Sequence, residues 1–175
     1  MKKEFSIEDE WLPLEIHPET PKEGTPITKL FPKDSLERMY ASLKNAGEQY
    51  GIDFRGNDLL SNSHLSLAAG EFAKEKDKFE EYHERVFHAY FSEKLDIGDT
   101  KVLTSIIDSI GLDSEEMERR FEDGTYESIL KATQETAHKY DIRSTPTFII
   151  DGKYAIVGAQ PIEVFRQALL EIEKQ

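Results

Sequence analysis

Apolar residues between positions 34 and 140 recur at intervals of three and four, the spacing that lines one face of a helix. Leu36, Met39, Tyr40, Leu43 and Tyr50 mark a first amphipathic run, opened by the capping pair Asp34 and Glu37 and ended by Gly51. Leu65, Ala68, Ala69 and Phe72 mark a second, and Phe79, Tyr82, Val86, Phe87 and Tyr90 a third that is expected to end near Gly98. After Asp99, the positions Val102, Leu103, Ile106, Ile107 and Ile110 predict a fourth helix stopped by Gly111. Asp113 and Glu116 open a short one through Met117 and Phe121, closed by Gly124. Residues 126–140 carry Ile129, Leu130, Ala137 and Tyr140 on one stripe, and a last helix carries Ile162, Phe165, Leu169 and Ile172.

Two stretches follow another rhythm. Leu12, Leu14 and Ile16 alternate as a strand does, and Pro13 between them confines that strand to an edge, where a missing N–H faces no partner. Thr147 to Ile150 is β-branched or aromatic throughout, as a strand buried on both faces requires. Asp151-Gly152 supplies the positive φ angles of a two-residue hairpin turn, a returning strand follows, and Pro161 stands where a helix begins.

Composition removes several functions. A formal net charge of −13 with a pI near 4.8 argues against a phosphate-binding surface, so nucleic acid is not an expected partner. No stretch reaches the roughly 20 apolar residues of a membrane span. Met1-Lys2-Lys3-Glu4-Phe5 runs into charged sequence rather than an apolar leader core, and the expected location is cytoplasmic. The 175 residues include no cysteine, which excludes disulfides and thiolate metal ligands.

The segment Arg143-Ser144-Thr145-Pro146, the run Thr147-Phe148-Ile149-Ile150-Asp151-Gly152-Lys153 and the stretch Gly158-Ala159-Gln160-Pro161 together resemble the DsbA-like thioredoxin-fold family. Within it they are most similar to the FrnE-type dithiol-disulfide oxidoreductases and isomerases. Residues 11–18 look like that family's second strand and its exit, and the helical middle looks like its inserted lobe.

The resemblance implies an α/β chain with a truncated thioredoxin-like fold of DsbA type carrying an inserted α-helical lobe. It implies one domain over 1–175, with a thioredoxin-like part at 1–60 and 141–175 and an insertion at about 62–140. It implies a cis peptide before Pro146, with Ser144, Thr145 and Pro146 as the substrate-side wall, and it places His64, after Asn62-Ser63, at the groove between core and lobe.

The family's opening strand, Cys-x-x-Cys motif and helix have no counterpart here, and the expectation is that they are absent before Met1. Thiol-disulfide exchange needs a thiolate to attack sulfur, and no other side chain replaces it. The family's glutathione-dependent isomerase relatives place a serine in the same segment, so the isomerase reading meets the same obstacle. An open central slot in the sheet leaves backbone groups unpaired at about 1 to 3 kcal/mol for each buried one. The edge strand could close on the hairpin, a second copy could complete the sheet as a homodimer, or a separate peptide could fill it; a fragment or an earlier start is the remaining explanation. The homodimer is the expected state, and an extended peptide or small thiol is the expected ligand. The expected function is that of a thiol-disulfide oxidoreductase family member made redox-inactive by its lack of cysteine; the alternative is a non-catalytic peptide- or thiol-binding or assembly module.

Other candidates have simpler explanations. His83 and His88 are five apart on one helix, not the four that puts two imidazoles on one face, and no metal or cofactor is expected. Asp53 and Arg55 fit a hinge or a solvated loop. The aromatic stripe Phe79, Tyr82, Phe87, Tyr90 and Phe91 fits core packing better than a ligand pocket. Asp9-Glu10 and Glu115-Glu116 have no general-acid and general-base spacing, so the expected catalytic set is empty.

Overall fold

A computed structural model of the chain describes residues 1–174. In order, the elements are β1 (Thr25–Pro26), a 3-10 turn (Ile27–Lys29), α1 (Lys33–Glu48), β2 (Leu59–Leu60), α2 (His64–Glu75), α3 (Phe79–Phe91), α4 (Thr100–Ser109), α5 (Ser114–Glu122), α6 (Glu127–Lys139), β3 (Thr147–Ile150), β4 (Tyr154–Val157) and α7 (Ile162–Glu173). Chain contacts divide these into two units, Pro13–Ala132 and Met1–Leu12 with Thr133–Gln175. No helix among the described residues is long and apolar enough to cross a membrane.

The unit Pro13–Ala132 is built on the helical stripes. Phe72, Leu103, Ile106, Ile107 and Met117 are its largest fully buried side chains, with Tyr82, Val86, Tyr126 and Leu130 in the same cluster. The three-and-four spacing brings each of these onto the face its helix turns inward. Asp99 and Asp113 are the N-caps of α4 and α5, their side chains accepting from the backbone N–H of Lys101 and Glu116. The antiparallel β1 and β2 pair Thr25 with Leu60 and Pro26 with Leu59.

The end of α3 shows how completely a helix terminus is satisfied. Its last four carbonyls have no partner inside the helix. Here the His88 carbonyl accepts from the N–H of Ser92 and Glu93, the Ala89 carbonyl from Leu95 N–H and the Phe91 carbonyl from Arg55 N–H. The Tyr90 carbonyl accepts from the Asn57 side chain at 3.1 Å. Asn57 Oδ1 in turn accepts from Leu59 N–H at 3.0 Å, and the Tyr90 hydroxyl donates to the Leu59 carbonyl at 2.9 Å. Gly56 beside it has φ +73, and an added Cβ would lie 2.6 Å from the Tyr40 ring. Only glycine fits there.

In the other unit, α6 ends where Asp141 turns to φ 52 and Ile142 N–H returns to the Ala137 carbonyl. The hairpin β3–β4 pairs Thr147 with Val157, Phe148 with Ile156, Ile149 with Ala155 and Ile150 with Tyr154. The Phe148 ring meets Phe165 of α7 edge-on, with centroids 4.9 Å apart. Arg166 of the same helix is paired with Glu4 at 2.8 Å and with Glu163, tying the N-terminal residues down.

Several sequence expectations differ from the structure. Residues 12–16 form no strand: Trp11 and Leu12 are exposed, and an alternating pattern makes a strand only when another backbone pairs with it. Strand β3 is not buried on both faces, since Phe148 and Ile149 are exposed in a ribbon that has two strands. The hairpin loop is three residues, Asp151 to Lys153, because Ile150 pairs with Tyr154; Asp151 and Gly152 do take positive φ, 51 and 65. Helix α1 starts at Lys33 after Pro32, with Asp34 inside the first turn and no side-chain cap, and Tyr50 lies beyond its end. Helix α3 stops at Phe91, well before Gly98, and Phe87 faces solvent. Pro161 is the N-cap residue of α7, one position outside the helix.

Candidate functional site

The end of α6 and the start of β3 fix the loop Ser144 to Pro146 between two ordered elements. Its Thr145–Pro146 peptide is cis. The Thr147 hydroxyl donates to the Ser144 carbonyl at 2.7 Å, and Gly158 N–H donates to the Pro146 carbonyl at 2.8 Å, so the loop is held at both sides. Ser144, Thr145 and Pro146 are themselves exposed. The Arg143 guanidinium is paired with Asp141 at 2.7 Å.

Alternation along the ribbon sorts its faces. Phe148 stands on the side of Phe165, while Thr147, Ile149, Ala155 and Val157 line a cavity of about 300 Å³ on the other, with Tyr140, Arg143 and Ser144 at its wall. Ile149 and Val157 keep 43% and 54% of their surface exposed. An apolar face bordered by an accessible loop can take up an extended chain or a small apolar molecule. Nothing in it is a nucleophile for sulfur.

His64 lies in the helical unit, at the first position of α2. Its backbone N–H donates to Asn62 Oδ1 at 3.0 Å, and Asn62 Nδ2 donates to the Thr20 carbonyl at 2.7 Å. The ring lies between two carboxylates, with Nδ1 3.4 Å from Glu15 and Nε2 2.8 Å from Glu127. Burial disfavours its charge, but the hydrogen bonds and charges of Glu127 and Glu15 outweigh that, and its pKa is raised above the ordinary histidine value. Sequence reasoning singled out His64 and missed both partners. Residues 15, 64 and 127 share no local pattern, so no signal in one sequence brings them together.

The remaining candidates fall apart as a site. The His83 ring lies between Phe79 and Phe87, 5.7 and 4.3 Å from their centroids, and burial lowers its pKa; His88 faces Glu93 at 3.3 Å. Asp53 and Arg55 form an exposed pair at 2.7 Å. Glu116 contacts Lys76 at 2.9 Å and Arg120 at 3.5 Å, and Asp9 is paired with Lys2. No group of histidine, aspartate and glutamate among the described residues is arranged to hold a metal ion.

The family model for the DSBA-like thioredoxin domain matches residues 3–170. The uncharacterized Bacillus subtilis protein YwbO is 31% identical over 175 residues, covering 97% of this chain and 84% of that protein. A crystal structure of a Streptomyces coelicolor protein described as a probable DsbA oxidoreductase superposes with a TM-score of 0.77 at 26% identity, over 91% of this chain and 73% of that one. The helix-dominated α/β fold is thus that of a DsbA-like protein, and the chain belongs to the DSBA-like thioredoxin domain family.

Proposed function

We propose that this chain is a FrnE-type member of its family that serves dithiol-disulfide chemistry as a binding part and, lacking cysteine, is redox-silent by itself. Ser144, Thr145 and Pro146 form the wall along which an extended peptide or a small thiol lies. The sulfur exchange is left to a partner's dithiol. The observation that carries this reading is a family match over residues 3–170 in a chain that contains no cysteine. Exchange proceeds by thiolate attack on a disulfide sulfur, and without the nucleophile the step has no starting point.

The reading extends to organisation. We place the thioredoxin-like part at 1–60 and 141–175 with the helical lobe at about 62–140, and the protein in the cytoplasm. A homodimer formed through the hairpin is favoured by its composition: a two-stranded ribbon is marginal alone, and this one exposes Phe148, Ile149 and Val157. Light scattering is expected to report twice the mass of one chain, and a monomer at micromolar concentration contradicts the dimer.

Binding is tested with a fluorescent, cysteine-blocked extended peptide by anisotropy. Thr145→Pro removes a backbone N–H and is expected to weaken binding at least about tenfold, while Thr145→Ala keeps that N–H and binds within about twofold. Equal losses in both variants, or no binding by the unaltered chain, overturn the proposal.

A further inference from the structure

The imidazole of His64 has a different carboxylate at each ring nitrogen, Glu15 at Nδ1 and Glu127 at Nε2. A neutral imidazole offers one N–H and one lone pair, so in either tautomer one ionised carboxylate faces a lone pair. The imidazolium alone donates to both. The two contacts differ in what their loss means: the Glu127 side chain is 60% exposed and can turn to water, whereas that of Glu15 is 17% exposed. A largely desolvated carboxylate without its donor is the weak point of the arrangement. Opposite nitrogens of one ring also cannot converge on a single cation, which rules out reading the trio as a metal site.

Glu15 belongs to a segment, residues 13–18, that has neither helix nor strand to hold it. Beyond it, Asn62 Nδ2 anchors the Thr20 carbonyl, and Thr20 N–H donates to the His17 carbonyl. His64 holds the near end and Asn62 the far end. We propose that His64 is a proton-dependent clasp: protonated, it pins residues 13–18 to α2 and α6, and neutral, it lets that segment go.

The charged groups that face the ring are Glu15 from the segment and Glu127 from the first turn of α6; the amide dipoles at the start of α2 oppose the charge they favour. The folded state therefore binds the proton more tightly than an unfolded chain, whose histidines titrate near about 6.5. The clasp is fully closed below that ordinary value and opens as pH rises through the raised one. The released segment carries Leu14 and Ile16, half-buried side chains that have no strand partner.

The test uses the full chain. Hydrogen exchange of the Leu14 to His17 amides, corrected for intrinsic rates, is compared at about pH 5.5 and about pH 8.5 while the His64 ring is titrated by NMR. Protection is expected to fall at least about tenfold at the higher pH, with the midpoint that the ring itself shows. Glu15→Gln is expected to lower that midpoint by about half to one unit, and His64→Gln to make the protection independent of pH. Protection that ignores pH in the unaltered chain overturns the proposal, and so does an unmoved His64 midpoint in Glu15→Gln. These two readouts decide it even where His64→Gln does not fold.

Discussion

Replacing Asn57 by alanine tests how the stretch between α1 and β2 is fastened to the end of α3. Asn57 is 5% exposed and satisfies two backbone groups at once, the Tyr90 carbonyl at 3.1 Å and Leu59 N–H at 3.0 Å. Alanine leaves both buried and unpaired. Each orphaned group costs about 1 to 3 kcal/mol, so the expected loss of stability for the two is about 2 to 6 kcal/mol. With a urea slope of about 2 kcal/mol/M, that lowers the unfolding midpoint by roughly 1 to 3 M. Circular dichroism at helical wavelengths measures the shift, and an unchanged slope confirms that stability alone has moved. Asn57→Asp keeps the acceptor for Leu59 N–H and sets a carboxylate against the Tyr90 carbonyl, so it is expected to be no better than alanine. A loss below about 0.5 kcal/mol for Asn57→Ala, or an aspartate variant as stable as the unaltered chain, rules out this role for the Asn57 side chain.

Three further outcomes follow from the same geometry. Gly56→Ala combines φ +73 with a Cβ 2.6 Å from the Tyr40 ring and is expected to destabilise by about 1 to 3 kcal/mol, read from the urea midpoint. Asp113→Ala removes the cap on Glu116 N–H and is expected to cost about 1 kcal/mol, while Asp113→Ser retains most of it. Glu116 has a pKa below the usual carboxylate value, first because Lys76 donates a hydrogen bond to it; its contribution is present above the unfolded-state pKa and lost as pH falls through the lowered folded one. Lys76→Met is expected to move the Glu116 midpoint upward in a carboxyl NMR titration, and an unmoved midpoint contradicts that pairing.

The sequence was most legible where the causes are local. Asp99 and Asp113 cap the helices that follow them, Gly111 and Gly124 take positive φ beyond those helices, and Leu103, Ile106 and Ile107 are buried as their spacing implies. It was less legible where an element depends on distant backbone. Leu12 to Ile16 has the period of a strand, but pairing is a property of two segments, and alternation alone does not supply the second. The cis Thr145–Pro146 peptide of the candidate loop lies within a contiguous run of signals, Arg143 to Gly152. The Glu15, His64 and Glu127 contact could not, because its members lie far apart along the chain and nothing in a helical stripe records which carboxylate meets which imidazole.

The proposed role, binding without sulfur exchange, is decided by insulin reduction in the presence of glutathione, with the protein's composition verified by mass spectrometry. The expected rate equals that of glutathione alone at every protein concentration. Acceleration in proportion to added protein contradicts it.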